Sequence, residues 1–83
     1  MPQISVQIKN STETDYNVTV ADEFGGALRE VDGSPFALAA GETSVFFSVN
    51  ASGSGEGRIR YQCQRGPKRT GIDIANGDVV SIS

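Results

Sequence analysis

Apolar and polar residues alternate in short runs along most of this chain, the signature of strands that bury one face and wet the other. Ile4, Val6 and Ile8 alternate with Ser5, Gln7 and Lys9, and Tyr16, Val18 and Val20 alternate with Asn17 and Thr19. The polar turn Asn10–Asp15 between these runs predicts an antiparallel hairpin of the first two strands. The strongest pattern spans residues 43–64. Thr43–Asn50 and Arg58–Cys63 both alternate around the Gly/Ser-rich bend Ala51–Gly57, which predicts a second hairpin. In it Val49 opposes Ile59, Phe47 opposes Tyr61 and Val45 opposes Cys63, all facing inward. Ser44, Phe46 and Ser48 then share the outer face with Arg58, Arg60, Gln62 and Gln64.

Weaker elements fill the remainder. Asp22–Gly26 ends the second run with a glycine pair. Ala27–Val31 is a short strand with Leu28 as its core residue, and Asp32–Pro35 is a turn. Phe36 and Leu38 alternate inward. Ile72 and Ile74 form a strand, followed by Val79–Ile82. Asn76-Gly77 between them is a strong hairpin signal, and an odd-length connection with a bulge places Ile72, Ile74, Val80 and Ile82 on one face. About seven to eight short strands joined by turn residues predict an all-β fold, a small antiparallel two-sheet β-sandwich occupying residues 1–83 as one domain. The run Pro35–Glu42, followed by alternating apolar residues, resembles the turn into a middle strand of immunoglobulin-like sandwich modules, which implies a sandwich immunoglobulin-like in style.

Composition narrows the chemistry. With 83 residues and no tryptophan, one core of Val, Ile, Leu and Phe is all the chain can build. There is no histidine, which removes the commonest general base and metal ligand. The single cysteine, Cys63, has no imidazole to activate it and reads as a small core residue. The chain is therefore read as a non-enzyme with no catalytic residues and no cofactor. Asp22, Glu23, Asp32, Asp73 and Asp78 are calcium-compatible oxygen donors, but their order matches no EF-hand loop, so no metal site is assigned. Gly53–Gly57 lacks the Lys-Ser/Thr and the helix start of a phosphate loop and reads as a hairpin tip. The sequons at Asn10, Asn17 and Asn50 read as coincidental. No signal peptide and no apolar run of transmembrane length is visible, which leaves localisation open with the cytoplasm slightly favoured over a trimmed secreted form.

A net charge of −3 argues against nucleic acid as a partner. Charge is nevertheless segregated. Five of the seven basic residues, Arg58, Arg60, Arg65, Lys68 and Arg69, fall in a stretch without acids, whereas acids concentrate from Glu13 to Glu42. With Phe46 diagonal to Arg60, these six residues form the expected binding surface, suited to an acidic protein partner or a polyanionic ligand. The bland counterpart is that the arginines pair with neighbouring acidic turns and protect a sheet edge. The alternative function is an assembly subunit, a homo-oligomer that self-associates through exposed sheet edges and faces.

Overall fold

The computed structural model describes every residue except Met1, Ala27 and Asp32. Among the described residues the chain is all-β, with eight strands in two facing sheets, a sandwich-like arrangement. The strands are β1 (Gln3–Asn10), β2 (Tyr16–Asp22), β3 (Arg29–Glu30), β4 (Phe36–Leu38), β5 (Phe47–Asn50), β6 (Glu56–Cys63), β7 (Lys68–Ala75) and β8 (Val79–Ile82). The smaller sheet has the order β5-β1-β8. The larger runs β3-β2-β6-β7, with β4 also pairing to β2.

Alternation places the core as expected. Val6, Ile8, Val18, Val20, Leu38, Val49, Ile59, Tyr61 and Ile82 are all fully buried, and each aliphatic side chain so buried contributes roughly 1.5–3 kcal/mol. Ile72, Ile74, Val80 and Ile82 all enter one core, but from opposing sheets rather than from one face of a hairpin. The pairing of the strands, however, departs from the sequence reading at every predicted hairpin.

β5 and β6 are not neighbours. β5 pairs with β1, Ile4 opposite Val49 and Val6 opposite Phe47, while β6 pairs with β2 and β7. The residues expected side by side on one ribbon therefore come from opposing sheets. The linker allows this because it is too long to dictate a hairpin, and its own bonds hold it: Ser52 N–H donates to the Glu56 carbonyl (2.8 Å) and Gly55 N–H to the Ser52 carbonyl (2.9 Å). Nor do β1 and β2 pair, since residues 11–15 carry the chain from one sheet to the other. Asn10 organises that crossing. It occupies an inward position of β1 with no exposed surface. Its Nδ2 donates to the carbonyls of Thr14 (2.7 Å) and Leu38 (3.0 Å), and its Oδ1 accepts the Thr12 amide (3.0 Å).

The sandwich is not wholly antiparallel either. β8 runs parallel to β1, with Ile8 opposite Val80 and Asn10 opposite Ile82. Asn76-Gly77 consequently does not close a hairpin but turns the chain from the large sheet to the small one. Within the third predicted strand, Leu28 is 57% exposed and Val31 is the buried residue, at 2%. Its expected start, Ala27, and the turn residue Asp32 lie outside the described residues. Lys68 and Arg69, expected in a loop, begin β7.

Candidate functional site

Two surfaces stand out, and a β-bulge shapes each. Along β1, Val6 opposes Phe47 and Lys9 opposes Thr43, so Gln7 and Ile8 face three residues, Ser44, Val45 and Phe46. One extra residue reverses the facing of everything upstream. Ser44 thus turns inward, where its hydroxyl accepts the Ile8 amide (3.0 Å) and donates to the Val45 carbonyl (2.8 Å). Val45 and Phe46 both turn outward, 83% and 57% exposed. The expectation that Val45 packs inward while Ser44 faces solvent is corrected by this single insertion, which the adjacent Phe46-Phe47 pair signals as a break in strict alternation.

These two side chains border a groove of about 620 Å³ between β4, at one edge of the large sheet, and residues 42–48, at one edge of the small sheet. Half-buried Phe36 and Phe47 line it, Leu38 of the core contributes to it, and Arg29 and Glu42 supply its charges.

The second bulge lies between β6 and β7. Ile59 opposes Ile72 and Tyr61 opposes Arg69, so Arg60 faces both Thr70 and Gly71. Gly71 adopts φ = 65°, a conformation that favours glycine, and its freed N–H donates to Glu23 Oε1 at 2.8 Å. The other Glu23 oxygen accepts from Arg60 at 3.3 Å. The Gly71 hydrogen bond, followed by the charges of Arg60 and Arg58, holds the Glu23 carboxyl below the ordinary glutamate range against the opposing effect of burial. An isolated glycine in a strand pattern is the signal that could have located this bulge.

The six residues expected to form one surface are therefore divided. Arg58 and Arg60 do share the outer face of β6, but Arg58 is paired to Asp73 at 3.1 Å and Arg60 to Glu23. Phe46 belongs to the groove rather than lying diagonal to Arg60, because β5 and β6 are in different sheets. Arg65, with φ = 56°, occupies the turn between β6 and β7. Lys68 opposes outward-facing Gln62, whereas Arg69 opposes inward-facing Tyr61. Burial holds the Tyr61 hydroxyl above its ordinary pKa, with the Arg69 charge opposing. Among the described residues, Arg65, Lys68 and Arg69 make no ion pair.

The described carboxylates considered for calcium are dispersed. Asp22 is buried at the end of β2, where it accepts the amides of Phe24 (2.9 Å) and Asn50 (2.8 Å) and ties the two sheets together. Asp73 pairs with Arg58, Asp78 accepts the Ala75 amide (2.9 Å), and Asp32 lies outside the described residues. No three metal-ligating side chains converge among the described residues. Of the sequons, Asn10 is sealed in the core, while Asn17 is exposed on β2.

The state of Glu23 has a measurable consequence. A carboxylate whose folded-state pKa is depressed stabilises the fold fully above its unfolded pKa, and that contribution is lost as pH falls through the folded value. Denaturant unfolding at pH 7 and pH 3 is expected to show a smaller acid-induced loss of stability in Glu23→Gln than in the parent. The glutamine keeps an acceptor for Gly71 but has no charge to lose. Equal losses in both proteins would contradict this assignment.

Comparison with known protein families, with curated proteins and with solved structures finds no match for this chain.

Proposed function

We propose that this chain is a single-domain, non-catalytic binding module whose groove between β4 and residues 42–48 takes an extended segment of a partner protein. The observation that carries this reading is the outward pair Val45 and Phe46 beside a groove that reaches core side chains. Apolar side chains clustered at a concavity mark interaction surfaces. Edge strands on both walls suit a peptide that adds as a further strand, with main-chain bonds giving affinity and side-chain pockets giving selectivity. The immunoglobulin-like style of the sandwich rests on the Pro35–Glu42 turn alone.

Peptides selected from a random library against the folded protein test the proposal. They are expected to carry spaced apolar residues and to shift the amide resonances of residues 36–38 and 45–48. Val45→Asp combined with Phe46→Asp is expected to abolish binding while changing stability by no more than about 0.5 kcal/mol, as surface substitutions do. Binding unaffected by the double substitution would overturn the groove assignment.

A second reading keeps the basic surface as the site, favoured by the absence of ion pairs at Arg65, Lys68 and Arg69 among the described residues. The same selection discriminates it. Acidic peptides whose binding weakens with salt and maps to residues 65–69 would move the site there. Self-association, the assembly alternative, predicts a concentration-dependent mass by light scattering in the absence of any peptide.

A further inference from the structure

We infer that Asn76 is a latent site of spontaneous deamidation, held closed in the folded chain by its pairing with Ser5. Asn76 and Gly77 are exposed in the turn between β7 and β8, and Asn76 is the chain's one asparagine followed by a residue without a side chain. An asparagine followed by glycine offers the least hindered route to ring closure. The Gly77 amide nitrogen loses its proton to solvent base and attacks Cγ of Asn76, forming a C–N bond. The side-chain nitrogen leaves as ammonia, and water then opens the cyclic imide at either carbonyl to give aspartate or isoaspartate. No electrons are exchanged, and water is the only co-reactant.

Both reacting groups are engaged in the fold. Gly77 N–H donates to the Ser5 carbonyl at 2.7 Å, and Asn76 Oδ1 accepts the Ser5 amide at 2.9 Å. Ser5 lies in β1, the middle strand of the small sheet, and β8 leaves the turn to pair with that same strand. Two further bonds hold the turn, Asp78 N–H to the Ala75 carbonyl (3.1 Å) and Ala75 N–H to Asp78 Oδ2 (2.9 Å). The Gly77 nitrogen can lose its proton and reach Cγ only after the bonds to Ser5 have parted, so the rate follows local opening of the β1–β8 clasp.

The reaction is one-way. Isoaspartate inserts a methylene into the main chain between the α-carbon of residue 76 and Gly77, which displaces Gly77 N–H from Ser5. Either product adds a negative charge to a chain whose net charge is −3. Modification thus records and preserves an opening event.

The test is peptide mapping of residue 76 during incubation of the full chain at neutral pH, beside a synthetic peptide of residues 72–82. The folded protein is expected to react about tenfold or more slowly than the peptide, the protection given by an opening free energy of about 1.4 kcal/mol. Val80→Ala, which loosens the anchor of β8 opposite Ile8, is expected to react severalfold faster than the parent. If that variant does not fold, the parent in sub-denaturing urea replaces it, with hydrogen exchange at Gly77 reporting opening. A folded chain that reacts as fast as the peptide overturns the inference. So does a rate that stays constant while Gly77 exchange accelerates.

Discussion

Gly57→Val is expected to remove at least about 3 kcal/mol of stability, the upper end of what overpacking a core costs. Gly57 faces inward on β6 where the end of β5 crosses closest. A Cβ placed there would lie 2.9 Å from the Asn50 carbonyl oxygen, 3.3 Å from Ile4 Cδ1 and 3.5 Å from Ile74 Cγ1. The first of these contacts is to backbone, and Asn50 cannot retreat freely because its amide is bonded to buried Asp22. Valine extends two further methyl groups beyond that Cβ. An 83-residue chain has roughly 4–12 kcal/mol to lose, so the variant is expected to be largely unfolded or to melt more than about 12 °C lower. Circular dichroism on heating checks this, with Gly57→Ala expected to fall between parent and valine. A valine variant that melts with the parent would show that the sheets do not approach at this point.

Asn10→Asp is the second large effect, with an expected loss of about 3 kcal/mol or more. The change conserves shape and reverses chemistry. Nδ2 donates to two carbonyls in the parent, and an ionised carboxylate would set oxygens against both of them in a site without solvent. A buried polar group left unsatisfied costs about 1–3 kcal/mol, and a charged one costs more. Two carbonyls lose their donor at once. Asn10→Leu removes the added charge but leaves the same carbonyls unpaired, so its loss is expected to be smaller than that of aspartate. Equilibrium denaturation of both variants gives the order. Aspartate no worse than leucine would mean that Asn10 does not pin the crossing between sheets.

Both predictions depend on features that alternation alone does not reveal. Ile4, Val6, Ile8, Val18, Val20, Val49, Ile59 and Tyr61 could be assigned to the core from spacing, because a strand's side chains face alternate sides whatever its neighbour is. Asn10 continued the inward phase of β1 in the sequence, but its polarity marked it as a turn residue; only the carbonyls of Thr14 and Leu38 make an inward amide acceptable. The groove was legible in half. Phe46 was read as outward-facing, whereas Val45 was not, since a single inserted residue at 44–46 changes the phase without changing the composition. Arg58 and Arg60 were correctly placed on an outer face. Their carboxylate partners were not, because Glu23 reaches Arg60 only after β2 and β6 have paired.

The order of residues by itself determined an all-β chain, most of the inward side chains, several of the turn positions and the lack of histidine. Those follow from local sterics and from the two-residue period of a strand. Which strand meets which, the parallel pairing of β1 with β8, the two bulges and the groove they leave open were decided by the tertiary structure. A strand edge offers the same amides and carbonyls to any partner. Selection among partners comes from closing loops and filling one shared core, which is a property of all the strands together.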